Sequence, residues 1–280
     1  MTPLRRRMIQ DMELHGLSKT TQHTYVSVVK NFAEHFGRSP ARIGQEDIRR
    51  FFIHLTKVRR LARSTVRVYL FAIKFLYRRT LQRQWPVLQL IRVRNVRKFP
   101  VVLSHGEVCD LLRKLRRPEA RMSATLMYCC GLRVSEATKL QALDIDSRRM
   151  VVCVRNGKGA KDRNVPLPRR VLQQLRQYWR QHRPGHWLFP SKTGKTPISA
   201  SVVRQAIKAA ALQAGIVKNV SCHTLRHSYA THLLEKRVDL RIIQGMLGHR
   251  SPRSTVIYTH LTQGTIKVVH DAVNDLTRDF

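Results

Sequence analysis

The sequence predicts a mainly α-helical protein of two domains, with one small antiparallel β-sheet in the second. Three observations carry that expectation. Apolar residues recur three and four apart in most segments, and the segments end at glycine or proline; a single stretch reads as paired strands around a glycine-rich turn. The length of 280 residues also exceeds the roughly 100–200 residues of one ordinary domain.

Residues 1–83 read as four helices. Leu4 to His15 stops at Gly16. Ser18 or Thr20 caps a second helix, which carries Tyr25, Val28, Val29 and Phe32 at helical spacing and ends at Gly37. "QEDIRRFFIHL" opens with acids, which suit the positive end of a helix dipole. Ser64 starts the fourth, in which Val66, Tyr69, Ile73, Leu76 and Tyr77 make one apolar stripe. This first domain is expected to be a helical bundle. Residues 84–100, "QWPVLQLIRVRNVRKFP", have no clean period, prolines near both ends and a run of basic residues, and read as a basic linker.

The second domain, 101–280, begins near Val101. Ser104 and Glu107 form a capping box for a helix to about Arg116. Met122 to Cys130 reads as a helix ending at Gly131, and Val134 to Leu140 as a short one. "MVVCV" and "NVPLP" flank "NGKGAKDR", the best hairpin signal in the chain. Further helices are expected over 169–182, 199–213, 224–235, 240–247 and 252–260, the last with Ser251 as cap and Pro252 at its first position. The tail beyond, with Ile266, Val269 and Val273 at helical spacing, is expected to dock on a neighbouring protomer.

Charge narrows the function. Lys and Arg number 53 against 17 Asp and Glu, a formal +36, yet 42% of residues are hydrophobic, so the chain folds rather than staying disordered. Such a charge self-repels unless a polyanion neutralises it. Residues 1–100 hold 22 basic against 5 acidic residues and the remainder 31 against 12, so both domains should touch that partner. Arginine scattered through every segment fits nucleic acid better than a membrane surface. No transmembrane run or secretory signal is apparent, and a cytoplasmic, nucleoid-associated location is expected. Cys109, Cys129, Cys130, Cys153 and Cys222 have no C-x-x-C spacing and read as small core residues.

The chemistry collects in a few polar outliers. In "SCHTLRHSYATHLL", His223 and Arg226 share one face at the start of a helix, where a phosphate would be favoured. "GLRVSE" sets Arg133 just past a glycine-terminated helix, with Glu136 three later to hold a guanidinium. "MLGHRS" puts His249 after Gly248, and "TVIYTH" puts Tyr258 nine residues further. Taken singly, each is unremarkable. Together with a hairpin lysine they form a set suited to phosphoryl transfer without a metal: guanidinium groups neutralise the charge that develops on the phosphate, each well-placed donor lowering the barrier by roughly 2.7–4 kcal/mol. A tyrosyl phosphate ester conserves bond energy, so a strand is cut and rejoined without ATP. "SKTGKT" ends like a phosphate-binding loop but has Phe189 where that motif needs glycine, and Cys222, His223, His227 and His232 match no closed zinc site.

"GLRVSE", "GKGAKDR", "HTLRHSYATHLL", "LGH" and "YTH", in this order and spacing, resemble the tyrosine recombinases (the phage-integrase family), closest to Xer recombinases and integron integrases. The resemblance covers essentially the whole chain. It implies a helical SAM-like core-binding domain and a catalytic domain forming a C-shaped clamp on duplex DNA, with four protomers on paired sites and no cofactor, metal or small-molecule substrate. It also implies roles: Arg133 and Arg226 clamp the scissile phosphate, Lys158 is the general acid with Lys161 as the alternative, His223 serves acid–base transfer, His249 binds a non-bridging oxygen, and Tyr258 attacks to give a 3′-phosphotyrosyl intermediate. One departure is that integron integrases carry an extra helical insertion before the H-x-x-R box, whereas Ser191 to Ser221 leaves room for a turn and one helix. Duplex sites are therefore favoured over folded single strands. The rival readings are a type IB topoisomerase and a non-catalytic DNA-binding accessory protein on the same scaffold.

Overall fold

The computed structural model describes residues 1–93, 100–155, 162–248 and 263–278, the last stretch with side chains from 269 onward. The chain falls into two compact units, Met1–Lys98 and Phe99–Phe280.

The first unit is helical. α1 (Pro3–Leu14), α2 (Lys19–Phe36), α3 (Gln45–Ile53) and α4 (Arg63–Phe75) enclose Met8, Met12, Phe32, Phe51, Ile73 and Tyr77, all essentially inaccessible. Phe32 meets Phe51 edge-on at 4.8 Å, an arrangement that suits the ring quadrupoles. The buried Tyr77 hydroxyl donates to the carbonyl of Pro40 at 2.8 Å. Ser18, not Thr20, caps α2, accepting from the Thr21 amide, and Gly37 ends that helix in the left-handed conformation. Ser64 lies inside α4, which starts one residue earlier behind an Ala62 that offers no side-chain cap. α3 and α4 each run on into a π turn, His54–Val58 and Leu76–Thr80.

The start of the expected linker lies on this unit. Trp85 stacks on Tyr77 at 4.3 Å, and Pro86 opens a single helical turn, α5 (Val87–Leu90), which packs against α3 with Val87 and Leu88 buried. Arg67 donates to the carbonyl of Val93 at 3.1 Å. Four residues are too few to show a period, which is why the turn escapes sequence reading.

The second unit is built around α7 (Pro118–Cys129), whose residues from Met122 to Cys129 are all buried. Its first turn, Pro118 to Arg121, buries only Ala120 and so gives no apolar period to read, which is why the spacing shows the helix from Met122 onward. α6 (His105–Lys114) begins at the expected capping box: Ser104 Oγ accepts from the Glu107 amide and Glu107 Oε2 from the Ser104 amide. α9 (Arg169–His182), α10 (Ala200–Gln213) and α11 (Cys222–Glu235) pack on α7, and α12 (Leu240–Leu247) follows α11. A turn around Gly194 and the one helix α10 fill the interval from Ser191 to Ser221.

The expected hairpin is β2 (Val151–Val154) paired antiparallel with β3 (Arg163–Pro166), in the register Val152 to Val165 and Val154 to Arg163. Val152, Val154 and Val165 point into the core, the alternation that fixes the register. A third strand, β1 (Ile145–Asp146), adds to β2; two residues left no pattern to read. The expected helix over 252–260 lies outside the described residues.

The tail forms α13 (Gln263–Asp275), and here it is packed on its own chain, beside β3. Val269, Val273 and Leu276 are buried in the second core. Asn274 Oδ1 accepts from the Arg169 amide at 3.2 Å, supplying the cap that Pro168 cannot, and His105 Nε2 donates to the Leu276 carbonyl at 2.7 Å. None of the five cysteines is in a disulfide, and four are buried. Among the described residues no helix is long and apolar enough to cross a membrane.

Candidate active site

The site begins with a glycine. Gly131 ends α7 at φ +60°, and a Cβ there would lie 2.7 Å from both Leu247 and the Tyr229 ring, so no other residue fits. The turn it permits delivers Leu132 to the core and Arg133 to the mouth of α8 (Val134–Ala137). Glu136 reaches back within that helix. Its Oε2 accepts from the Arg133 amide at 2.8 Å and its Oε1 from Arg133 Nη1 at 2.7 Å.

Arg226 arrives from α11 and Arg163 from the first position of β3. Arg226 Nη1 donates to the carbonyl of Gly131 at 2.6 Å and lies 3.8 Å from Glu136 Oε2. Arg163 grips Glu136 with two parallel bonds, Nη1 to Oε1 at 3.0 Å and Nη2 to Oε2 at 2.7 Å. Backbone carbonyls at the end of α12 complete the frame. Met246 accepts from Arg163 Nε at 2.8 Å, Leu247 from Arg226 Nη2, and Gly248 from Arg133 Nη2 at 3.0 Å. Carbonyls at a helix C-terminus lack partners in their own helix and carry its negative dipole end, which suits three cations.

Side-chain exposure is 20% for Arg133, 12% for Arg163, 6% for Arg226 and 8% for Glu136. Burial alone would raise the Glu136 carboxyl, but the Arg163 bonds and the Arg133 amide overcome it and hold the group at about 2. Burial and then the neighbouring Arg133 lower Arg226 to about 10, still charged at neutral pH. Three guanidinium groups thus share one carboxylate. The surplus is two positive charges in a largely desolvated place, which calls for an anion.

His223 is exposed in the first turn of α11, one turn before Arg226, with its ring 6.5 Å from that of His227. The structure therefore brings Arg133, Arg226 and Glu136 into one cluster, with His223 on the helix that carries Arg226. Lys158, Lys161, His249 and Tyr258 lie outside the described residues. Sequence reasoning missed Arg163; the only trace of it was its place as the last residue of "GKGAKDR", where the hairpin resumes.

Residues 102–264 match the phage integrase family, and residues 4–87 the N-terminal SAM-like domain of phage integrases. The putative integrase/recombinase y4qK of Sinorhizobium fredii is 40% identical over 267 residues, covering 95% of this chain and 87% of that protein. The chain belongs to the tyrosine recombinases of the phage integrase family. Another member of the family, tyrosine recombinase XerA of Pyrococcus furiosus, is 32% identical over 271 residues, covering 94% of this chain and 91% of its own. As a tyrosine recombinase the chain is a DNA strand-breaking and rejoining enzyme, and its mainly helical fold is the family's. A lambda integrase dimer bound to a core site shares that fold at a TM-score of 0.73, with 16% identity and coverage of 92% of this chain and 98% of that one.

Proposed function

We propose that this recombinase cuts and rejoins duplex DNA at specific sites through a 3′-phosphotyrosyl intermediate and a Holliday junction. The observation that carries the reading is the unbalanced positive charge of the arginine cluster, which suits one backbone phosphate. Arg133 and Arg226 hold the non-bridging oxygens and stabilise the pentavalent transition state. The Tyr258 hydroxyl attacks phosphorus, its proton passing to His223, while His249 binds a non-bridging oxygen. The bond from phosphorus to the 5′-oxygen breaks, and Lys158, or Lys161 in its place, delivers a proton to the departing oxygen. The 5′-hydroxyl of a partner strand then attacks the phosphotyrosine and releases the enzyme. Bond energy is conserved throughout, so neither ATP nor a metal takes part.

The 1–83 and 101–280 domains, joined through 84–100, both bind the duplex, and four protomers join two sites, with α13 exchanged between neighbours. The protein is expected in the cytoplasm with the nucleoid. Incubation with a nicked half-site should leave a covalent protein–DNA band for the native protein and none for Tyr258→Phe, with the native yield unchanged by EDTA. A band that survives the substitution overturns the reading.

A further inference from the structure

Arg163 has no role in the chemistry just described, yet it is the most heavily committed side chain of the cluster. It is 12% exposed, and all three of its guanidinium nitrogens are engaged: two on the carboxylate of Glu136 and one on the carbonyl of Met246. Three of its five N–H groups are thereby taken, against two in Arg133 and two in Arg226. The other two arginines hold their carbonyls through Nη atoms and share the same carboxylate less completely.

A buried carboxylate ion-pairs with whatever cation reaches it. With Arg163 in place, both Glu136 oxygens are already occupied by a fork that a lysine could not reproduce. Without Arg163, the carboxylate has only Arg133, already on Oε1 at 2.7 Å, and Arg226, 3.8 Å from Oε2, to neutralise it, so that Glu136 holds both more tightly and competes with DNA for the two guanidinium groups the reaction needs.

We propose that Arg163 is a positioning residue: by occupying Glu136 and tying β3 to the end of α12, it keeps Arg133 and Arg226 aimed at, and electrostatically available to, the scissile phosphate. This rests on the role given to the arginine pair above. Arg163 itself touches no substrate.

The test is the rate of covalent complex formation on nicked half-sites, with an ordinary phosphodiester and with a methylphosphonate at the scissile position, which removes the negative charge the arginines neutralise. Misplacement of reacting groups by about an ångström costs on the order of a hundredfold. Arg163→Met should therefore be slower by about that factor on the phosphodiester and within about threefold of native on the methylphosphonate, the same pattern as Arg226→Met. Arg163→Lys, which keeps the charge but loses the fork, should fall between. The double variant Arg163→Met with Glu136→Gln should recover part of the rate, because the competing carboxylate is gone.

Native rates in Arg163→Met, or an equal loss on both substrates with no recovery in the double variant, overturn the proposal; the latter pattern marks a merely structural residue. If Arg163→Met does not unfold cooperatively, Arg163→Lys carries the same comparison. If Tyr258→Phe still forms the covalent band, or Arg226→Met gains nothing from the methylphosphonate, the reading of the site itself is overturned and the role of Arg163 falls with it.

Discussion

At the scale of single residues, Gly131 and Glu136 carry the heaviest constraints. Gly131→Ala forces a Cβ to within 2.7 Å of Leu247 and Tyr229 at a φ of +60°. A cost on the order of 3 kcal/mol is expected, from overpacking together with backbone strain, read as a lower denaturant midpoint. Glu136 titrates well below an ordinary carboxyl because it is ion-paired. Its stabilising contribution is complete above the unfolded value, near ~4.3, and is lost as pH falls towards the folded value of about 2. Glu136→Gln should cost about 3 kcal/mol at neutral pH. Thermal melts should show that gap closing between pH 5 and pH 2; a gap independent of pH would refute the ion-pair account. The pairing of Arg133 with Glu136 was legible because it breaks a local pattern, an arginine after a helix-ending glycine with a carboxylate three residues later. Arg163 was not, because its partner Glu136 stands 27 residues away and an arginine among so many in a basic chain carries no local signal.

At the scale of elements, the helices with an apolar stripe or a capping box were read from spacing alone, as α2, α6 and α9 show. Three kinds escaped. The start of α7 offers only Ala120 among half-exposed and exposed neighbours, β1 and α5 are too short for a period, and the seat of α13 depends on partners more than a hundred residues distant. That seat is testable. Asn274→Ala removes the cap of α9 and should cost about 1 kcal/mol, whereas Val273→Ala opens a cavity in the second core and should cost about 2 kcal/mol or slightly more. If both changes were silent in thermal unfolding, the helix would not be held by its own chain.

At the scale of the whole molecule, the polyanion partner was legible from the charge, the chain belonging to a family of DNA strand-breaking enzymes. The cluster shows what charge alone does not: three of the 53 basic residues, Arg133, Arg163 and Arg226, are gathered on the one carboxylate of Glu136. The logarithm of DNA affinity should fall linearly with the logarithm of salt concentration, with a slope of about −0.9 per phosphate neutralised. Arg226→Met should leave that slope within about one unit of native, since a single contact is removed. A flat salt response would remove the polyanion argument entirely.

Met246, Leu247 and Gly248 hold three arginines by main-chain oxygens alone. Side-chain identity at the first two positions is thus constrained only by packing, which asks for apolar residues of similar volume. Helix length is not free to vary. Inserting or deleting one residue within α12 turns every following carbonyl by about 100° and uncouples the trio at a stroke, so descendants of this gene should tolerate point changes here and purge frame-preserving indels.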